Sequence, residues 1–372
     1  MQADNEKVAG LYISWPFCAQ KCTYCNFASG VQPKELERRY SEALLAEFAA
    51  HPWHMAGQFT PDTFYIGGGT PSAIEPGDIE RLLEPFPGCP WREATMEAAP
   101  GSLTAEKITA WRRAGIDRVS LGVQSFVKSE LARTGRSHDA ATVVRDVALL
   151  RAHGLPNINL DLIAGLPGQT EASWRESLEA VLRLDVPHVS VYMLEVDDDS
   201  RLGSEIILGG KRYGASDVPT DNQIAAFYEQ AVETLEAHGI QRYEISNFAR
   251  PGAESLHNLK YWRREPYVGF GADAHSFDGH TRWQNVETAR EYVERAPSFR
   301  AEQTLANPVE EKFFVGLRLT EGVIPNASDW QRFGPAFHRF ISGGVMEQTG
   351  DRLRLTPRGI MVSNEIFQEF IA

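Results

Sequence analysis

Three of the four cysteines fall within one short stretch, Cys18-Ala19-Gln20-Lys21-Cys22-Thr23-Tyr24-Cys25, spaced C-x3-C-x2-C. Three thiols on so short a loop cannot all pair as disulfides, and soft thiolates select zinc, Cu(I) or iron–sulfur clusters. A closed zinc site asks for four ligands, while the fourth cysteine, Cys89, lies far along the chain beside Pro90. The pattern fits a 4Fe–4S cluster held through Cys18, Cys22 and Cys25, with one iron left open to a non-protein ligand. A zinc site lacking a visible histidine, or three unrelated buried cysteines, are the competing readings. Phe17, Tyr24 and Phe27 are expected to wall such a cluster from solvent and so tune its potential.

A second stretch, Gly67-Gly68-Gly69-Thr70-Pro71, lets backbone approach a ligand closely, because glycine carries no Cβ. No Gly-Lys-Ser/Thr follows, so it is not a phosphate loop; a plain turn is the alternative. Glu97, Gln124, Arg136 and Asp161 are polar residues that surface or capping roles would also explain.

The elements that must position these residues alternate. Strands are expected at 11–15, 63–66, 94–98, 118–124, 158–163 and 188–194, and helices at 33–50, 78–86, 103–114, 139–153 and 171–184. That rhythm of about six strand-then-helix units predicts a parallel α/β sheet or partial barrel. The cysteine loop, Gly67–Thr70, Glu97, Gln124 and Asp161 each follow a strand end, on the rim where parallel barrels build their sites. Further on, 203–219 reads as an irregular insertion, 221–238 as a helix and 242–246 as a strand. From about 301 the texture changes to helices and a hairpin, so the expected division is 1–300 for the barrel and 301–372 for a small helical, winged-helix-like module.

A net charge of −13 argues against a general nucleic-acid binder, which needs a basic face. No apolar run reaches the ~20 residues of a membrane span, the polar start is unlike a signal peptide, and the cysteine usage is wrong for a disulfide scaffold. A reducing, cytoplasmic setting is the expectation.

The cysteine spacing with an aromatic at Tyr24 resembles the radical S-adenosylmethionine (SAM) superfamily. The resemblance implies a partial (β/α)6 TIM-like barrel, a 4Fe–4S cluster on the three cysteines, and SAM chelating the open iron. Gly68, Gly69 and Thr70 match the stretch that contacts SAM. Gly122-Val123-Gln124 through Arg136, and Asn159-Leu160-Asp161 through Gly165-Leu166-Pro167-Gly168, resemble oxygen-independent coproporphyrinogen III oxidases, in which Tyr12 matches a SAM-contacting tyrosine. By the same resemblance Glu97, Gln124, Arg136 and Asp161 are SAM contacts. The oxidases carry a further cysteine where Phe27 stands. His257-Asn258-Leu259-Lys260-Tyr261-Trp262, with Tyr243 through Ala249 and Gly269 through Phe277, is similar instead to the HemW family of heme chaperones.

Membership implies heme as cargo, acceptor hemoproteins, and an acidic flavodoxin- or ferredoxin-type reductant, for which Lys260, Arg263 and Arg264 are the expected docking patch. It leaves peripheral membrane association and a homodimer open. SAM cleavage would gate transfer without a porphyrin product. His257 is a candidate heme ligand or a residue fixing a loop over the barrel mouth; His275 is a second candidate, and Cys89-Pro90 resembles a heme-responsive dipeptide. The alternative function is a true enzyme, decarboxylating coproporphyrinogen III or transferring methyl groups. A purely structural cluster is the third reading. The chain departs from the family at Ser14-Trp15, at Ala99 and at Asp273, where relatives have glycine.

Overall fold

Six strands alternate apolar and polar residues, and that alternation decides which way the sheet faces. The computed structural model describes residues 8–50, 60–86, 91–198, 200–210 and 212–371. β1 (Val8–Trp15), β2 (Thr60–Gly68), β3 (Glu93–Ala98), β4 (Arg118–Gln124), β5 (Asn157–Ala164) and β6 (His188–Met193) lie side by side, each parallel to the next. Successive side chains of a strand point to opposite faces. One set, including Leu11, Ile13, Phe64, Ile66, Met96, Leu121, Leu160 and Val189, joins a core with Leu44, Ile79, Trp111, Val147 and Leu178 of the covering helices. Burying each large apolar side chain stabilises the fold by roughly 1.5–3 kcal/mol. The other set, with Tyr12, Tyr65, Glu97, Ser120, Asn159, Asp161 and Ser190, is polar and meets inside the curve of the sheet.

Crossover helices Lys34–Ala50, Pro76–Leu83, Ala105–Arg113, Ala140–Ala152 and Glu171–Leu184 link the strands. Their starts are capped from the sequence: Thr104 accepts from the Lys107 N–H, Asp139 from Thr142, and Thr170 forms a reciprocal box with Ser173. The expected barrel of β/α units is therefore present.

Both edges of the barrel are extended. β7 (Gln241–Arg242) and β8 (Asn247–Ala249) follow β6 in antiparallel fashion. β9 (Tyr267–Phe270) runs parallel to β1, and β10 (His275–Phe277), β11 (Thr281–Asn285) and β12 (Arg300–Leu305) continue antiparallel from it. The order β12-β11-β10-β9-β1-β2-β3-β4-β5-β6-β8-β7 ends on two different strands, so among the described residues the sheet stays open.

Two expected elements differ. The strand expected at 242–246 is interrupted because the Glu244 carboxylate accepts from the Ser246 N–H and the Asn247 amide, folding the chain between β7 and β8. Within the stretch expected to be irregular, Arg201–Leu208 is a helix, started by Ser200, whose hydroxyl accepts from the Gly203 N–H. The C-terminal region has helices Pro308–Phe314 and Ala327–Ser342, the hairpin β13 (Met346–Thr349) and β14 (Arg352–Leu355), and two short closing helices. An aromatic cluster of Phe313, Phe333, Phe337 and Phe370 forms its own centre. No helix of the described residues is long and apolar enough to cross a membrane.

Candidate functional site

The cysteine loop leaves β1 and is pinned on three sides by backbone. Cys18 N–H donates to Gly30 O (2.9 Å), Thr23 N–H to Thr134 O (3.2 Å), and Leu202 N–H to Thr23 O (2.9 Å). Cys18, Cys22 and Cys25 are half-buried free thiols. Burial pushes the Cys25 thiol up, and the neighbouring Cys22 and Cys18 push the same way. Thiolates so close repel one another and call for a cation between them. Phe17 lies beneath the loop, 5.0 Å from the Trp15 ring and 5.1 Å from Tyr40, and Tyr24 accepts from Arg136 (3.4 Å). Phe27 corrects the expectation of a three-sided wall: it is 66% exposed, because the chain turns outward at Phe27–Ser29.

The glycine stretch passes directly against this loop. Gly69 N–H donates to Trp15 O and Thr70 N–H to Phe17 O, each at 2.8 Å. A Cβ on Gly69 would sit 2.6 Å from Phe17 O, and Gly68 holds φ +106°, where side chains are strained. Glycine here is dictated by close approach. Gly68 N–H in turn donates to Glu97 (3.2 Å), and Tyr65 hydroxyl donates to the other oxygen (2.8 Å). Tyr12 stacks on Tyr65 at 6.1 Å.

Glu97 and Asp161 face each other inside the barrel. Desolvation pushes Glu97 up to about 7, with Asp161 adding to it against the Tyr65 and Gly68 hydrogen bonds. Asp161 is also raised by desolvation, although Ser190, Asn159 and Ser120 hydrogen-bond it. Gln124, at φ 67°, and Arg136 come together over Gly122, where Arg136 donates to the carbonyl (3.1 Å). The structure thus brings Tyr12, Gly68, Gly69, Thr70, Glu97, Gln124, Arg136 and Asp161 to one rim beside the three cysteines.

His257 lies elsewhere. It belongs to the helix Leu256–Arg263, which closes the barrel from the end where the strands begin. Glu93, the first residue of β3, accepts from the Ser255 hydroxyl and from the Leu256 and His257 N–H groups at 2.9–3.0 Å. His257 Nδ1 shares a hydrogen bond with Thr63 (3.0 Å), Nε2 with Tyr261 (2.9 Å), and the ring stacks on Tyr65 at 5.3 Å. Desolvation, then the nearby Lys260 and Arg118 charges, hold it down to about 3.

Both nitrogens of His257 already have protein partners, so in the ligand-free chain it is a neutral histidine holding its helix, and heme ligation would require Thr63 or Tyr261 to let go. The element it fixes is a barrel plug, not a loop over the mouth. The expected basic docking patch is also corrected. Lys260 is buried between Asp62 (2.9 Å) and Glu265 (3.1 Å), Arg263 faces Glu321 (3.7 Å), and Arg264 donates to Pro308 O (2.6 Å). His275 is exposed on β10; Cys89-Pro90 lies outside the described residues.

Sequence reasoning missed Tyr65, Ser120, Asn159, His188 and Ser190. Asn159 donates to Asp161 (2.7 Å) and Ser190 (2.9 Å) and bonds His188 (2.6 Å), which reaches Tyr243 (2.9 Å). The signal was present: Asn157, Asn159 and Asp161 of β5 and His188 and Ser190 of β6 alternate with apolar residues, which in a strand covered by helices marks an inward face.

The donor set fits the implied groups. Among the described residues no three His, Cys, Asp or Glu side chains converge on a single metal ion; a cubane takes each thiolate on a different iron and needs no such convergence. The glycines let β2 pack directly against the cysteine loop, and two desolvated carboxyls that form no ion pair suit a positively charged ligand.

Residues 12–181 match the radical SAM superfamily model and residues 303–362 the HemN C-terminal domain. The chain is 35% identical to the heme chaperone HemW of Bacillus subtilis, over 97% of this chain and 98% of that one. It is 31% identical to the heme chaperone HemW of Escherichia coli, over 97% and 98%. The solved coproporphyrinogen III oxidase (HemN) of Escherichia coli superposes with a TM-score of 0.82 at 21% identity, over 98% of this chain and 90% of that one. That likeness establishes the shared fold.

Proposed function

The chain belongs to the HemW family of the radical SAM superfamily, and on that premise we propose that it is a heme chaperone, which binds heme and hands it to acceptor hemoproteins. The observation that carries the reading is a cavity of about 300 Å³ that runs from Tyr12 and Tyr65 to Tyr261 and Trp262. Aromatic faces on both sides suit a flat macrocycle. Its floor is the His257–Trp262 helix, the segment that set this family apart from the oxidases.

Cys18, Cys22 and Cys25 would hold the 4Fe–4S cluster. Gly68, Gly69, Thr70 and Tyr12 would seat SAM, Glu97 and Asp161 would meet its positive charge, and Gln124 and Arg136 its polar rim. When bound, a reduced cluster of this type supplies an electron to the sulfonium of SAM. The residues present would do three things: the half-buried thiols would hold the cluster, the two desolvated carboxyls would orient a cation, and the aromatic cavity would offer flat faces to the cargo. The cluster calls for a reducing, cytoplasmic setting and an acidic electron donor, which would approach the exposed face carrying Phe27 rather than the plug. The division at 300/301 remains our proposal.

The test is anaerobic reconstitution with iron and sulfide, followed by hemin and, separately, coproporphyrinogen III with SAM. A shifted Soret band with no porphyrinogen product supports chaperoning. Formation of protoporphyrinogen would overturn it in favour of the oxidase.

A further inference from the structure

Three polar atoms in the wall of the aromatic cavity lack a hydrogen-bond partner: Trp262 Nε1, Arg318 Nε and Glu244 Oε2. They come from three separate elements, which are the plug helix, the turn Gly316–Arg318 of the C-terminal module, and the bend between β7 and β8. Buried donors and acceptors without partners are rare and costly. Three on one cavity mark a place built for a polar group that arrives from outside.

Arg318 is held there by backbone. Ile245 N–H donates to Arg318 O and Thr320 N–H to Tyr243 O, each at 3.1 Å, and Glu244 bridges Leu319. The guanidinium carbon sits over Trp262, 4.4 Å from the ring centroid. The two side chains therefore line the cavity together, each with an N–H that no protein group takes. Glu244, although its side chain is buried and it feels the Arg318 charge, does not close onto the guanidinium within 4.0 Å. Its other oxygen is taken by Ser246 and Asn247. Desolvation raises Glu244, against the pull of Arg318.

We propose that Arg318 and Trp262 form a carboxylate-binding site at the seam between barrel and C-terminal module, and that it takes a propionate of the bound heme. The assignment to heme rests on the chaperone reading; the carboxylate chemistry rests on the donors. It gives the C-terminal module a role as one jaw of the cargo site. A guanidinium suits this task because its planar fork matches a carboxylate. SAM also carries a carboxylate, and Tyr12 borders the same cavity, so the two sources must be separated by experiment.

The experiment titrates hemin, hemin dimethyl ester and SAM into the reconstituted full chain, in one detergent-containing buffer, for the wild type, Arg318→Gln and Arg318→Lys. The wild type should bind hemin about tenfold more tightly than the ester, the size of one charge-assisted hydrogen bond. Arg318→Gln should remove that preference while SAM affinity stays constant, and Arg318→Lys should restore part of it. The wild-type acid-to-ester ratio needs no variant and decides the matter even if a substitution unfolds the module. Equal affinity for hemin and ester overturns the propionate site. A loss of SAM affinity in Arg318→Gln with the hemin preference intact assigns the carboxylate to SAM and also overturns it. Failure of the wild type to bind either porphyrin overturns the chaperone reading itself.

Discussion

The two ends of the barrel are built from the same kinds of side chain and do opposite things with them. At the end where the strands begin, the core of the plug is answered from within: Lys260 by Asp62 and Glu265, the start of the plug helix by Glu93, and His257 by Thr63 and Tyr261. At the end where they finish, the thiols are free, Glu97 and Asp161 face each other with no ion pair, and backbone is pared to glycine. Residue type does not separate structure from chemistry here. What separates them is whether the partner lies in the chain or must be supplied.

That contrast can be broken most severely at the cysteines. Replacing any one of Cys18, Cys22 or Cys25 with alanine should abolish the cluster, from about four irons per chain to near none. Far-UV circular dichroism should be unchanged. A variant that kept its iron would move that cysteine to the structural class.

The opposite outcome is expected at the plug. Lys260→Met takes one of two cations from buried Asp62, leaving Arg92 at 3.0 Å, and should cost about 1–3 kcal/mol of stability, read by urea unfolding, with iron content retained. His257→Ala removes two hydrogen bonds and opens a void, so about 2–4 kcal/mol should be lost. The Soret band of bound heme should keep its position. A shift to a five-coordinate spectrum would restore His257 as an iron ligand.

Glu97 tests the rim by pH. Its pKa rises from 4.5 to about 7 on folding, mainly through desolvation. The proton is therefore held more tightly in the folded state, and the contribution is full below 4.5 and lost as pH rises through 7. Stability of the ligand-free chain should fall by up to about 3 kcal/mol across that window, and Glu97→Gln should flatten its share of the slope. Glu47 is also raised to about 7 by desolvation, among hydrogen bonds from Tyr292, Gly271 and Asn285, and should contribute to the slope that remains together with Asp161 and Glu244, which burial raises in the same direction. SAM, by contrast, should bind more tightly at pH 8 than at pH 6 only while Glu97 is present. The smallest effect is Asp273→Gly. Asp273 sits at φ 59°, where glycine is at ease, but its carboxylate accepts from Gln284 (2.9 Å). The two changes oppose, and the net should stay within about 1 kcal/mol.

Much of the rim was legible from the chain because its signals are local. Three cysteines in one loop, three successive glycines, and strands that carry their polar residues to their ends all declare themselves within a few positions. β9 to β12 were not legible: they are three to six residues long, and only their pairing with β1 and with each other makes them strands. Lys260 was misjudged for a related reason, and what holds His257 was equally hidden. A basic or imidazole side chain looks available until Asp62 and Thr63, almost two hundred positions away, turn out to hold it. Arg318 carried no motif, and only the cavity shows what it faces.

The most direct measurement is electron paramagnetic resonance of the anaerobically reconstituted, reduced chain, before and after SAM, alongside iron and sulfide analysis. The account requires about four irons and four sulfides per chain, with a spectrum that shifts when SAM is added. Zinc in place of iron, or a cluster whose spectrum is indifferent to SAM, would contradict it.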